Sequence, residues 1–253
     1  MSEGSDLRVS LATPLRRAEG RFYIAMALAA IVTALVGFAP AIIDPATRKG
    51  PLSWAVGIHG VIFSAWLALF LLQALLVHNR RIAIHRLLGG FGVLLAVTML
   101  FSGYFTTIAM AQRGYDLSGD LIGETGDPLM LMVFQLGDLL CFGILVALGI
   151  IFRNLPDAHK RLMLLATVGG LMPAALSHVI GHSAFLRSFH PAIILIPWTA
   201  FLFAGALHDR IFRGRVHPVS LWVALLVWLW SNLRAVVIGP SDLWRDFAGW
   251  LIS

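Results

Sequence analysis

Residues 53–77 read SWAVGIHGVIFSAWLALFLLQALLV, 25 consecutive positions without one Asp, Glu, Lys or Arg. At 1.5 Å per residue a helix of that length rises about 37 Å, more than the roughly 30 Å hydrocarbon core of a bilayer. A soluble surface helix would carry a polar stripe, and this one has none. In lipid each backbone N–H and C=O must be satisfied within its own segment, so the stretch is helical rather than extended.

Working outward, six further stretches are long and predominantly apolar, with few charges: Phe22 to Ile43, His85 to Ala111, Pro128 to Phe152, Asp157 to Phe185, Pro191 to Leu207 and Pro218 to Ile238. The expected fold is therefore all-α, a polytopic membrane helical bundle of seven transmembrane helices over 22–238. A cytoplasmic segment, 1–21, precedes it and a short tail, 239–253, follows. Composition agrees: the 253 residues are 58% hydrophobic and only 13% charged, with a mean hydropathy of +0.84. So few charged residues cannot cover a water-soluble core of that size. The first apolar stretch follows Glu3, Asp6 and Glu19 and is long for a signal sequence, so it is read as an uncleaved first helix.

Helix starts are punctuated. Asp127-Pro128 offers an N-cap followed by proline where a missing N–H is harmless, and Pro156-Asp157, His190-Pro191 and His217-Pro218 mark further starts. Gly169-Gly170 and Pro173 predict a bend within the fifth helix. In the tail, Leu243, Trp244, Phe247, Trp250 and Leu251 fit one face of a short amphipathic helix in the outer interface.

Of the 19 Lys and Arg residues, 13 fall on the N-terminal side of the spans: Arg8, Arg16, Arg17, Arg21, Arg80, Arg81, Arg86, Arg153, Lys160, Arg161, Arg210, Arg213 and Arg215. That imbalance puts the N-terminus in the cytoplasm of a bacterial-type inner membrane and, with seven crossings, the C-terminus outside. The net charge of +6 is a record of topology rather than a nucleic-acid surface, because no aromatic stacking platform accompanies it. The single cysteine, Cys141, allows neither an intrachain disulfide nor a cysteine metal site. The outer loop from Gln112 to Asp127 carries Asp116, Asp120, Glu124 and Asp127, either as a solvated loop or as a cation-attracting lid.

Ionisable side chains inside a bilayer are expensive, so their depth is informative. His59, Asp138 and His178 each lie about 13 to 15 Å in from the outer helix ends, with His182 one turn above His178 and Gln135 one turn above Asp138. Two chemistries fit them. A b-type haem needs two imidazoles at one depth on facing helices, which His59 and His178 would supply, with Gly57, Gly60, Gly169 and Gly170 nearby. A divalent metal such as zinc could instead take His59, His178 and His182, with Asp138 as fourth ligand or as the acid/base group of a hydrolase. A third reading is a transporter or accessory subunit without catalysis, in which Asp138 serves cation or proton movement.

At the cytoplasmic side, His85-Arg86-Leu87-Leu88-Gly89 and His159-Lys160-Arg161-Leu162-Met163 each open a helix with a histidine beside cations. Such cations could grip haem propionates, lipid phosphates or a quinone head group, or serve only as positive-inside flanks. Helix two aligns His59, Trp66 and Gln73 at seven-residue spacing, a stripe facing the bundle interior, where Trp66 is read as packing. Arg234 either snorkels to the outer interface or neutralises an anionic ligand. The sequence implies lipid and a membrane redox partner or quinone as partners, and leaves the oligomeric state open.

Over roughly His59 to Leu176 these helix starts resemble those of an uncharacterised bacterial family of multi-pass membrane proteins sharing His-Arg-x-x-Gly and His-(Lys/Arg)-Arg-x-Met. That resemblance implies a membrane helical bundle and no settled activity. The arrangement is also loosely similar to di-haem cytochrome b ferric reductases, in which helix-borne histidines hold haem near each membrane face. Here His159 and His178 stand 19 residues apart, about 29 Å of helix and longer than those proteins' ligand spacing. By chemical analogy alone, His59, Asp138 and the His178-x-x-x-His182 pair look similar to the zinc set of the CREST superfamily, with Ser102 or Thr106 as hydroxyl candidates. There the paired histidines lie on the last helix.

Overall fold

The computed structural model describes residues 3–47, 53–114, 127–189 and 191–253, and among them every regular element is helical. The helices are α1 (Glu3–Ile43), α2 (Trp54–His78), α3 (Ile82–Gln112), α4 (Pro128–Ile151), α5 (Pro156–Gly170), α6 (Met172–His182), the single turn α7 (Ala184–Arg187), α8 (Leu195–Arg213), α9 (Ala224–Leu233) and α10 (Asp242–Ile252). Alpha-helix α9 is flanked by π-helical turns, Val219–Val223 and Arg234–Ile238, which together with it form the last span. Six helices among the described residues are long and apolar enough to cross a membrane: Arg17–Ile43, Trp54–His78, Ile82–Gln112, Pro128–Ile151, Pro156–His182 and Val219–Ile238. The remaining sequence span, Pro191 to Leu207, becomes a 3-10 turn (Pro191–Ile194) followed by α8. That helix runs on to Arg213, so its last turn carries charges the sequence reading assigned to a loop.

Other boundaries moved for clear reasons. Alpha-helix α1 begins at Glu3, so the N-terminal segment and the first span are one continuous helix. The fifth span breaks at Leu171, between the glycine pair and Pro173, whose ring removes a backbone donor. Caps match the sequence at α4, where the Asp127 carboxylate accepts from the Leu129 N–H at 3.0 Å ahead of Pro128. In α2 the Ser53 hydroxyl accepts from the Val56 N–H at 3.3 Å.

The broken fifth span is the axis of the bundle. Alpha-helices α4 and α8 pack on α5, α1 packs on α2 and on α6, and α3 lies between α2 and α4. Ala166, Val168, Met172 and Ala175 of the axis are almost wholly sealed. Gly37 lets α1 approach α6 closely, since a methyl there would lie 2.5 Å from the Ala175 carbonyl oxygen.

Buried indoles lock this packing. Trp66 donates to the Thr167 hydroxyl at 3.1 Å and meets the Phe142 ring edge-on, with centroids 4.9 Å apart. It is a packing residue tying α2 to the axis. Where the span breaks, the last carbonyls of α5 lose their helical donors, and Trp198 of α8 donates to that of Val168 at 3.2 Å.

The C-terminal helix α10 is amphipathic as expected, but its apolar residues form two stripes. Trp244, Ala248 and Leu251 pack down on Ala111 of α3 and Met132 of α4, while Leu243, Phe247 and Trp250 are exposed. The inward stripe repeats at four and three residues, as helical packing requires.

Candidate functional site

Two histidines from different helices meet where α3 and α5 begin. His85 stands in the first turn of α3, just after the short connection from α2, and His159 in the first turn of α5, just after the connection from α4. Alpha-helix α4 packs against both α3 and α5. The ring centroids of His85 and His159 are 6.2 Å apart and the rings are nearly perpendicular, at 84°.

Each imidazole is placed by its own helix neighbours. His159 Nδ1 lies 2.8 Å from the Gly149 carbonyl oxygen. A carbonyl can only accept, so Nδ1 carries the proton and Nε2 keeps its lone pair. Gly149 makes this approach possible, because a methyl there would lie 2.7 Å from Met163 Sδ. Across the gap, Gln73 of α2 donates through Nε2 to the His85 backbone carbonyl at 3.2 Å. His85 Nδ1 and Gln73 Oε1 are both buried without a partner. One turn into α3 there is room: a methyl on Gly89 or Gly90 would meet no atom within 4 Å.

The spacing suits shared ligation. Two metal–imidazole bonds of about 2.0–2.1 Å end to end, plus on the order of 1 Å from each nitrogen to its ring centre, set ligating rings about 6 Å apart. At that distance the rings are too far apart to hydrogen-bond directly.

The outer constellation is arranged differently from the sequence expectation. Asp138 is held by Arg234, whose Nη2 donates to Oδ1 at 2.6 Å, while Nη1 donates to the Phe134 carbonyl at 2.7 Å. Arg234 therefore turns inward instead of snorkelling, and it is 2% exposed. Gly137 gives it a path, since a methyl there would sit 2.3 Å from Arg234 Cδ. His178 packs on Phe38 at 4.4 Å and lies 6.0 Å from the His182 ring, whereas His59 stacks on Phe63 of its own helix at 3.9 Å. Among the described residues no three His, Cys, Asp or Glu side chains gather as a metal-holding group. The set His59, His178, His182 and Asp138 is thus not brought together as a metal centre, because the carboxylate is already neutralised by a guanidinium. His59 Nδ1, Gln135 Oε1, His178 Nδ1 and His182 Nε2 are each buried and unpartnered. The acids Asp116, Asp120 and Glu124 of the outer loop lie outside the described residues.

The end of the bundle where α5 begins also holds an ionic network that the sequence did not disclose. Arg161 of α5 donates from Nε to Asp209 Oδ2 of α8 at 3.0 Å and pairs again through Nη2 with Oδ1. Ser220 donates its hydroxyl to Asp209 Oδ2 at 2.6 Å, and the His217 backbone N–H does so at 3.2 Å. Around this buried pair, Glu19 of α1 accepts from Lys160 at 2.6 Å and Arg213 at 2.8 Å, and Asp157 pairs with both cations. His217 is kept neutral: the Val219 N–H donates to its Nδ1 at 3.2 Å. Its burial, reinforced by the Arg161 cation, holds the ring below its ordinary pKa. Lys160 and Arg161 are therefore committed to carboxylates and are not available to a ligand beside His159. Arg86 pairs with no carboxylate among the described residues and is exposed. Asp209, buried in a basic turn His208-Asp209-Arg210, was the sequence signal that could have disclosed the network.

No protein-family model matches the chain, and no curated protein or solved structure is detectably similar to it.

Proposed function

We propose that this chain is a seven-span protein of a bacterial-type inner membrane that holds one haem b between His85 and His159 on the cytoplasmic side and serves in electron transfer. The observation that carries the reading is the facing pair of imidazoles on α3 and α5, 6.2 Å apart, with the His159 Nε2 lone pair left free by the Gly149 contact. The residues fit the group. His85 and His159 would hold it, Gly89 and Gly90 leave space on the α3 side, and Arg86, exposed beside His85, would be a cation able to meet a propionate. The group, when bound, would supply one-electron redox chemistry. The chain's own share is to fix the two rings, exclude water and set the polarity around them.

This moves the leading site from His59 and His178 to the cytoplasmic pair. The outer histidines have orphaned nitrogens, but each packs on a phenylalanine.

The seventh crossing is α8. At 19 residues it spans about 28 Å, and its ionic contacts support a full return. Arg213 at its end meets Glu19 of α1 and Asp157 at the start of α5, so it reaches the end of the bundle opposite His182. With the excess of Lys and Arg at that end, the N-terminus is cytoplasmic and α10 lies at the outer interface.

The test is absorbance of the full-length protein purified in detergent from haem-supplied cells. The reading expects a Soret band at one haem per chain, lost in His85→Ala and His159→Ala and retained in His59→Ala. A purified, monodisperse wild-type protein without a Soret band overturns it.

A further inference from the structure

The stripe His59, Trp66, Gln73 on α2 leaves one member unexplained. Trp66 is used in packing and His59 stacks on Phe63, but Gln73 sits against the proposed site with half its hydrogen-bonding capacity unspent. Its contact with the His85 backbone carbonyl at 3.2 Å fixes the orientation of the amide, because that carbonyl accepts only and must face the NH2 group. The opposite end of the amide is therefore the carbonyl oxygen. This Oε1 is buried and unpartnered, and so is His85 Nδ1 on the residue it touches.

The two orphans are complementary. An imidazole that ligates through Nε2 carries its proton on Nδ1 and needs an acceptor there, as metal-bound histidines regularly find in a carbonyl or carboxylate. On the other ring that acceptor is present, since His159 Nδ1 is bonded to the Gly149 carbonyl. On His85 the matching acceptor is the spare oxygen of Gln73. No other unpaired buried acceptor in the described structure belongs to a residue bonded to His85.

We propose that Gln73 is the positioning residue for His85: its side-chain carbonyl accepts a hydrogen bond from the Nδ1–H, fixing the tautomer that would present Nε2 to the haem. The inference rests on the reading of His85 and His159 as ligands of one haem. The two ligands then differ in kind of support, His159 being held by a main-chain carbonyl and His85 by a side chain that substitution replaces outright. Changing Gln73 tunes one side of the site alone.

The experiment compares full-length wild type, Gln73→Glu and Gln73→Leu in detergent by redox titration of the Soret and α bands, with haem content measured on the same samples. A carboxylate accepts more strongly from Nδ1 and makes the ring a stronger donor to the oxidised metal, so Gln73→Glu lowers the midpoint potential. Leucine removes the acceptor, so Gln73→Leu raises the midpoint and speeds loss of haem to apomyoglobin several-fold. Opposite shifts in the two variants support the proposal. Unchanged midpoints in both, with haem bound at wild-type level, overturn it and leave the haem reading standing. Absence of haem from wild type overturns the haem reading and this proposal with it. Should Gln73→Leu fail to accumulate, the near-isosteric Gln73→Glu still decides by the sign of its shift.

Discussion

Arg234 Nη2 lies 2.6 Å from Asp138 Oδ1, an ion pair tying the π-turn of the last span to the midpoint of α4. Both partners are removed from water and the guanidinium also bonds the Phe134 carbonyl. The two charges neutralise each other within the protein, and only Arg234 Nε is left buried without a partner.

Removing one partner should therefore be far worse than removing both. Asp138→Ala leaves a buried, uncompensated guanidinium and is expected to cost about 3–5 kcal/mol. The double change Asp138→Ala with Arg234→Met should recover most of that loss. Thermal unfolding in detergent measures it, and equal destabilisation of the single and double variants would contradict this account. On the proposed haem reading, any double variant that folds should bind haem at the wild-type level, since neither residue touches His85 or His159.

At the other end, Gly149→Ala is expected to push α5 away from α4. Its new methyl would sit 2.7 Å from Met163 Sδ, an overpacking of the kind that costs about 1–3 kcal/mol. The carbonyl that orients His159 belongs to the same residue, so haem content should fall along with stability. Adding Met163→Ala removes the clash and should restore both. A Gly149→Ala protein with wild-type melting and full haem would show that the close approach is not needed.

The seven-span topology can be tested with cysteines. Native Cys141 is buried and free, so background labelling by an impermeant maleimide should be low. Arg215→Cys should react only after spheroplasts are lysed, and Ser253→Cys in intact ones. Labelling of both from the same side would remove α8 from the list of crossings.

The spans were legible in the sequence because lipid imposes a simple rule: about twenty residues without charge, closed by caps and prolines. Pro128, Pro156 and the Gly169-Gly170-x-x-Pro173 pattern act through local backbone chemistry and can be read one helix at a time. Partner choice is a different kind of information. Asp138 stood out at its depth, but nothing near it in sequence announced Arg234. Asp209 looked like part of a solvated basic turn because its partner, Arg161, lies on another helix. His85 and His159 stood behind His59 and His178 as haem-ligand candidates in the sequence, and only the connections α2–α3 and α4–α5 bring both helix starts to one end. Periodicity gives the face a residue occupies, and only tertiary packing gives what it meets there.

Arg161 precedes Asp209 by 48 residues, and Asp138 precedes Arg234 by 96. Asp138 is thus separated in sequence from its only ion-pair partner among the described residues, whereas Arg161 also has Asp157 one turn before it. A later segment completes the pairing of each helix, α8 for Arg161 and the last span for Asp138. A chain truncated before the last span should therefore keep Asp138 without its guanidinium, the costly state of a buried charge left unpaired.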